Sequence, residues 1–143
     1  MKHRRRLFSV FCLLCWAAAA FPAASGFAAA DRASSPAITV EKKSQGITWI
    51  LTTPARPGVA QVSLVLRDAA GNPVQGKVVT GDVRMPDMQM EGYPLELQFA
   101  EDKDGRYVAL VQYGHGGYWQ IRATFGDDDG RVLRQSFDFD IGQ

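Results

Sequence analysis

From Ile47 onward, apolar and polar residues change places at almost every step, in short runs that never sustain a helical period. Ile47, Trp49 and Leu51 alternate with Thr48, Ile50 and Thr52, and Val62, Leu64 and Leu66 alternate with Ser63, Val65 and Arg67. Leu95, Leu97 and Phe99 oppose Glu96 and Gln98; Trp119, Ile121, Ala123 and Phe125 oppose Gln120, Arg122 and Thr124; Phe137, Phe139 and Ile141 oppose Asp138 and Asp140. Successive side chains of a strand point to opposite faces, so a period of two marks a strand with one face buried. Between the runs sit turn-forming clusters: Ala70-Gly71-Asn72-Pro73, Asp102-Lys103-Asp104-Gly105 and Asp127-Asp128-Asp129-Gly130. Short strands punctuated this way over roughly 100 residues predict an all-β fold, an immunoglobulin-like antiparallel β-sandwich of about seven strands. Trp49 and Trp119 fall on the apolar faces and are assigned to the core.

The first 30 residues read differently. Lys2, Arg4, Arg5 and Arg6 precede an apolar run from Leu7 to Phe21, and small residues ending Ala28-Ala29-Ala30 precede Asp31. A basic region, an apolar core and a small-residue cleavage site make a secretory signal peptide, which places the protein in the periplasm or outside the cell. Pro22, Ser25 and Gly26 interrupt the apolar run and favour cleavage over an uncleaved anchor, so no membrane span is expected after removal. Cys12 and Cys15 lie inside that run, so their C-x-x-C spacing leaves with the signal. Residues 31–45 form an N-terminal lead with room for a first strand, and 46–143 form the sandwich domain.

Cleavage removes four of the 16 basic residues and none of the 15 acidic ones, leaving a net charge of about −3. That balance argues against nucleic acid as a partner. No thiol remains, and every methionine except the initiator falls within Met85-Pro86-Asp87-Met88-Gln89-Met90. Thioether sulfur is a soft donor suited to Cu(I), and methionine also fills irregular gaps in cores. Counting strand reversals places the loops near 71, 103 and 128 at one end of the sandwich. The segment from Met85 to Gly92 and the Gly114–Gly117 loop then share the other end, joined by Pro54 to Gly58. His115, the lone histidine beyond the signal, therefore shares an end with Met85, Met88 and Met90. Such a donor set suits copper, as Cu(I), better than Zn(II) or a hard cation, because no thiolate is available and carboxylates are expected to be scarce there. Asp87 and Glu91 are placed to support a site or to favour cation approach.

In order along the chain come Pro54 and Gly58 before a strand, Asp68-Ala69-Ala70-Gly71-Asn72-Pro73-Val74 followed by Gly76, and the Met85-Pro86-Asp87-Met88 loop. Gly105-Arg106-Tyr107 and Gly117-Tyr118-Trp119 then each open a strand. In that order the chain resembles the YtkA-like family of exported β-sandwich domains over about residues 46 to 141, and more distantly FixH-like proteins. The resemblance implies an immunoglobulin-like fold and, for some relatives, periplasmic copper handling or oxidase assembly. Many members carry a histidine shortly after M-P-x-M, where this chain has Gln89 and Met90, so a copper site here leans on Met90 or His115. The H-x-M pair of cupredoxin-like copper chaperones is also missing, since His115 is followed by Gly116 and Gly117.

Catalysis finds no support, because no nucleophile sits in a recognisable elbow and no thiol survives export. Asp102, Asp104 and Asp127 to Asp129 lack the spacing and closing Glu of a calcium loop and read as hairpin turns. The sequence therefore predicts an exported, non-enzymatic copper-binding or copper-carrying protein. The competing expectation is a metal-free interaction module, an accessory to an envelope protein partner.

Overall fold

The computed structural model describes residues 36–88 and 93–142. Residues 1–30, expected to be a signal peptide and including Cys12 and Cys15, lie outside the described residues, as do Met90 and Glu91. Among the described residues eight strands follow one another: β1 Ala37–Ser44, β2 Ile47–Pro54, β3 Gly58–Arg67, β4 Val79–Arg84, β5 Leu95–Glu101, β6 Tyr107–Tyr113, β7 Gly117–Gly126 and β8 Val132–Ile141. The expected alternation is present in the burial of each central strand, with Trp49, Leu51 and Thr53 inward on β2 and Trp119, Ile121, Ala123 and Phe125 inward on β7. The fold is all-β, with one strand more than the sequence suggested. β1 pairs along its whole length with β2, from Ala37 opposite Pro54 to Ser44 opposite Ile47.

All pairings are antiparallel, and the hydrogen-bonded order is β1-β2-β3-β6-β5-β4-β7-β8. Two layers result, with β1, β2, β3 and β6 in one and β4, β7 and β8 in the other. β5 belongs to both: Leu95 to Phe99 pair with β4, whereas Ala100 and Glu101 pair with Val108 and Tyr107 of β6. The two outer strands, β1 and β8, come round to meet. Ser44 Oγ donates to Gln135 Oε1 at 2.6 Å, and the Arg134 amide donates to Gln45 Oε1 at 3.4 Å.

The layers are welded by large side chains. Trp49 packs against Phe125 with ring centroids 5.2 Å apart, and Tyr113 meets Trp119 edge-on at 5.2 Å and Phe139 at 6.0 Å. Trp49 and Trp119 are fully buried, as their apolar faces required, and Tyr107 is fully buried as well. Gly81, at the middle of β4, has no room for a side chain, because a Cβ there would strike the Arg122 carbonyl and approach Phe99.

Loops divide between two ends in the expected way. At one end, Asp68–Asn72, Asp102–Arg106 and Asp127–Arg131 build the same five-residue turn three times. In each, the first Asp accepts backbone N–H bonds from the residues two and four places on, at 2.8–3.1 Å. The fourth residue is a glycine with φ between 71° and 88°, a conformation that costs L side chains energy. In the second and third copies the fifth residue is an arginine, whose guanidinium returns to the carboxylates of the first and third residues of its turn. Asp68, Asp102 and Asp127 thus engage both carboxylate oxygens inside their own turns.

Candidate metal centre at the methionine end

Met85 continues β4 beyond Arg84, whose guanidinium donates to Gln120 Oε1 of β7 at 2.7 and 3.0 Å. It keeps the parity of Val79, Gly81 and Val83, and that parity faces the core. Its side chain is accordingly 7% exposed. Its Cε lies 3.0 Å from the point a Cβ would occupy on Gly117, a residue at φ 128° that opens β7. Gly117 therefore allows the methyl of Met85 to sit directly against the strand that leaves the His115 hairpin.

The chain then turns. The Met88 amide donates to the Met85 carbonyl at 3.3 Å, closing a turn over Pro86 and Asp87 that sends Met88 outward, 50% exposed. Met85 and Met88 are three residues apart in sequence and on opposite sides of the molecular surface layer. Met90, the third expected sulfur, lies outside the described residues.

His115 tops the hairpin between β6 and β7 and is exposed. Its Nδ1 is 2.6 Å from the Gly116 carbonyl. A carbonyl only accepts, so Nδ1 carries a proton, and in the neutral ring Nε2 is then the nitrogen with the lone pair. The hairpin is fastened from below, since Trp119 Nε1–H donates to the His115 carbonyl at 3.1 Å and the two rings lie 6.0 Å apart. Tyr93, where the described chain resumes before β5, packs on the other flank of Trp119 at 5.8 Å. The expected convergence of the Met85 and Gly114–Gly117 segments at one end is thus met by Met85, and Ala55, within the Pro54–Gly58 loop, lies beside Gly142 at the same end.

Carboxylates are more plentiful here than expected. The register sets Tyr118 opposite Asp140 and Gln120 opposite Asp138, bringing the polar face of β8 to the methionine end. The phenol of Tyr118 is pushed above its ordinary value, first by desolvation, then by a hydrogen bond to Asp138 and the negative charges of Asp138, Asp87 and Asp140. Asp87 is therefore part of an acidic rim shared with β8. Among the described residues, no three His, Asp or Glu side chains form a metal-binding group by themselves.

Residues 41–124, from β1 into β7, match the model of the YtkA-like family. The chain belongs to the YtkA-like family. The matched span contains the Met85–Met88 turn and the His115 hairpin. Among solved structures, this YtkA-like chain is similar to a copper-bound variant of FetP from uropathogenic Escherichia coli strain F11. The two share 9% identity with a TM-score of 0.55, over 74% of this chain and 97% of FetP. It is also similar to a DUF4426 family protein from Pseudomonas aeruginosa PAO1, at 11% identity and a TM-score of 0.53 over 71% and 96% of the two chains. At such identities the likeness is one of fold. No curated protein matches the sequence.

Proposed function

We propose that this YtkA-like protein works outside the cytoplasm, binding or carrying copper without catalysing a reaction, and that Met85, Met88, Met90 and His115 supply the donors. The observation that carries the reading is the seat of Met85 against Gly117, which ties the methionine turn to the His115 hairpin. Thioethers and a neutral imidazole favour Cu(I) over Zn(II). FetP, of the same fold, is a copper-bound relative in structure. Export is supported by the signal-like first 30 residues, and among the described residues no helix is long and apolar enough to cross a membrane.

Anaerobic Cu(I) titration against a competing chelator tests the reading. Met88→Leu should weaken binding with stability almost unchanged, because leucine keeps volume and apolarity but offers no lone pair. His115→Ala should do the same. If Met88→Leu combined with Met90→Leu leaves Cu(I) affinity intact, copper does not use this loop.

A second reading, a metal-free contact surface for an envelope protein, is favoured by the exposure of Met88 and Tyr118 and by the 7% exposure of Met85. Met88→Leu separates the two, since it preserves an apolar protein contact while removing a copper ligand.

A further inference from the structure

The two described methionines of the turn share a chemistry and differ in access. Met85 is 7% exposed, its methyl under Gly117 and its side chain among core residues; Met88 is 50% exposed. The outward position of Met88 is built in, because its own amide is tied back to the Met85 carbonyl and the side chain leaves a closed turn. Thioethers are oxidised according to how readily an oxidant reaches sulfur.

We propose that Met88 is an oxidation site for peroxide-class oxidants, and that its conversion to the sulfoxide withdraws a soft donor from the methionine end while Met85 is spared and the sandwich stays folded. In the step, a sulfur lone pair attacks one oxygen of hydrogen peroxide; the S–O bond forms as the O–O bond breaks. The departing hydroxide takes up the proton shed by the transferred oxygen, giving water. Sulfur is oxidised by two electrons and the peroxide reduced by two. The sulfoxide presents a hard oxygen where a soft sulfur stood, a poor match for Cu(I). Met85 oxidation would instead place a polar group in the core; Met88 oxidation places it in water. The metal-binding consequence rests on the copper reading above, whereas the selectivity of oxidation does not.

The test exposes the metal-free protein to graded hydrogen peroxide, quenches, and cleaves after Arg84 and Lys103 so that fragment ions assign the added oxygen within one peptide. Met88 should gain oxygen roughly tenfold faster than Met85. Equal rates, or faster reaction at Met85, overturn the proposal. Thermal melts of protein oxidised at Met88 should superimpose on those of untreated protein, and a large drop in the midpoint would overturn the claim that the fold is spared. In Cu(I) titrations the oxidised protein should lose affinity to the same extent as Met88→Leu. Retained affinity after oxidation, with affinity lost in Met88→Leu, overturns the withdrawal of a donor. Untreated protein that binds no Cu(I) refutes the copper reading and leaves Met88 selectivity to stand or fall on the peptide data.

Discussion

Trp119 has its ring in the core and its N–H at the rim, where it holds the His115 carbonyl. Trp119→Ala should therefore do two things. Loss of a fully buried indole should cost about 3–5 kcal/mol in urea melts, and the amides of the His115 hairpin should exchange faster with solvent. A loss below about 1 kcal/mol would mean that β7 does not pack as described. Tyr113 is tied to Thr53 by a 2.8 Å bond between hydroxyls, and burial pushes its phenol up from 10.0 to about 12, the Thr53 bond opposing. The folded state thus holds a proton that the unfolded chain releases near pH 10. Stability is intact below pH 10 and falls as pH rises towards 12, by roughly 2–3 kcal/mol from this one residue. Tyr113→Phe should show a shallower alkaline loss in urea melts between those pH values; an equal slope would assign the loss elsewhere.

The three Asp-led turns carry the acid response of the elements they connect. Asp68 is held below the usual carboxylate range by the Asn72 side chain and backbone amides. Asp102 is lowered chiefly by the Arg106 amide. At Asp127, desolvation pushes upward and is outweighed by the Arg131 amide and guanidinium. A lowered folded value means that these turns stabilise the protein above pH 3.8, and that the contribution disappears as pH falls through the lowered values. Replacing all three with Asn, which keeps an acceptor oxygen but cannot titrate, should flatten stability against pH below that point. An acid limb as steep as before would show that other carboxylates govern it. These turns were legible because Asp and Gly at fixed offsets have a local cause. β1 was only partly legible: as an edge strand it buries Ile38 and Val40 incompletely, and Lys42 and Lys43 mask its period.

Across the whole molecule, the division of loops between ends followed from counting reversals, so the neighbourhood of Met85 and His115 was readable in advance. What Met85 does there is also encoded, in its parity with Val79 and Val83, although a methionine suits a core gap and a soft ligand equally well. In the sequence Asp138 and Asp140 mark the wet face of a strand, and their arrival beside Tyr118 depends on the β7–β8 register, which no local pattern specifies. The split pairing of β5 is likewise a tertiary outcome, since nothing in Ala100 announces which neighbour it will find.

That split, together with the approach of β1 to β8, has a bearing on how the protein behaves in company. Unpaired strand edges act as templates on which other chains grow, and proteins commonly protect them with charge, brevity or cover. Here the two outermost strands turn towards each other at Ser44 and Gln135, while the exposed face of β1 carries Glu41 and Lys43. The two free edges are thus bridged by side chains at one end, and the charges along β1 hinder the addition of another strand there.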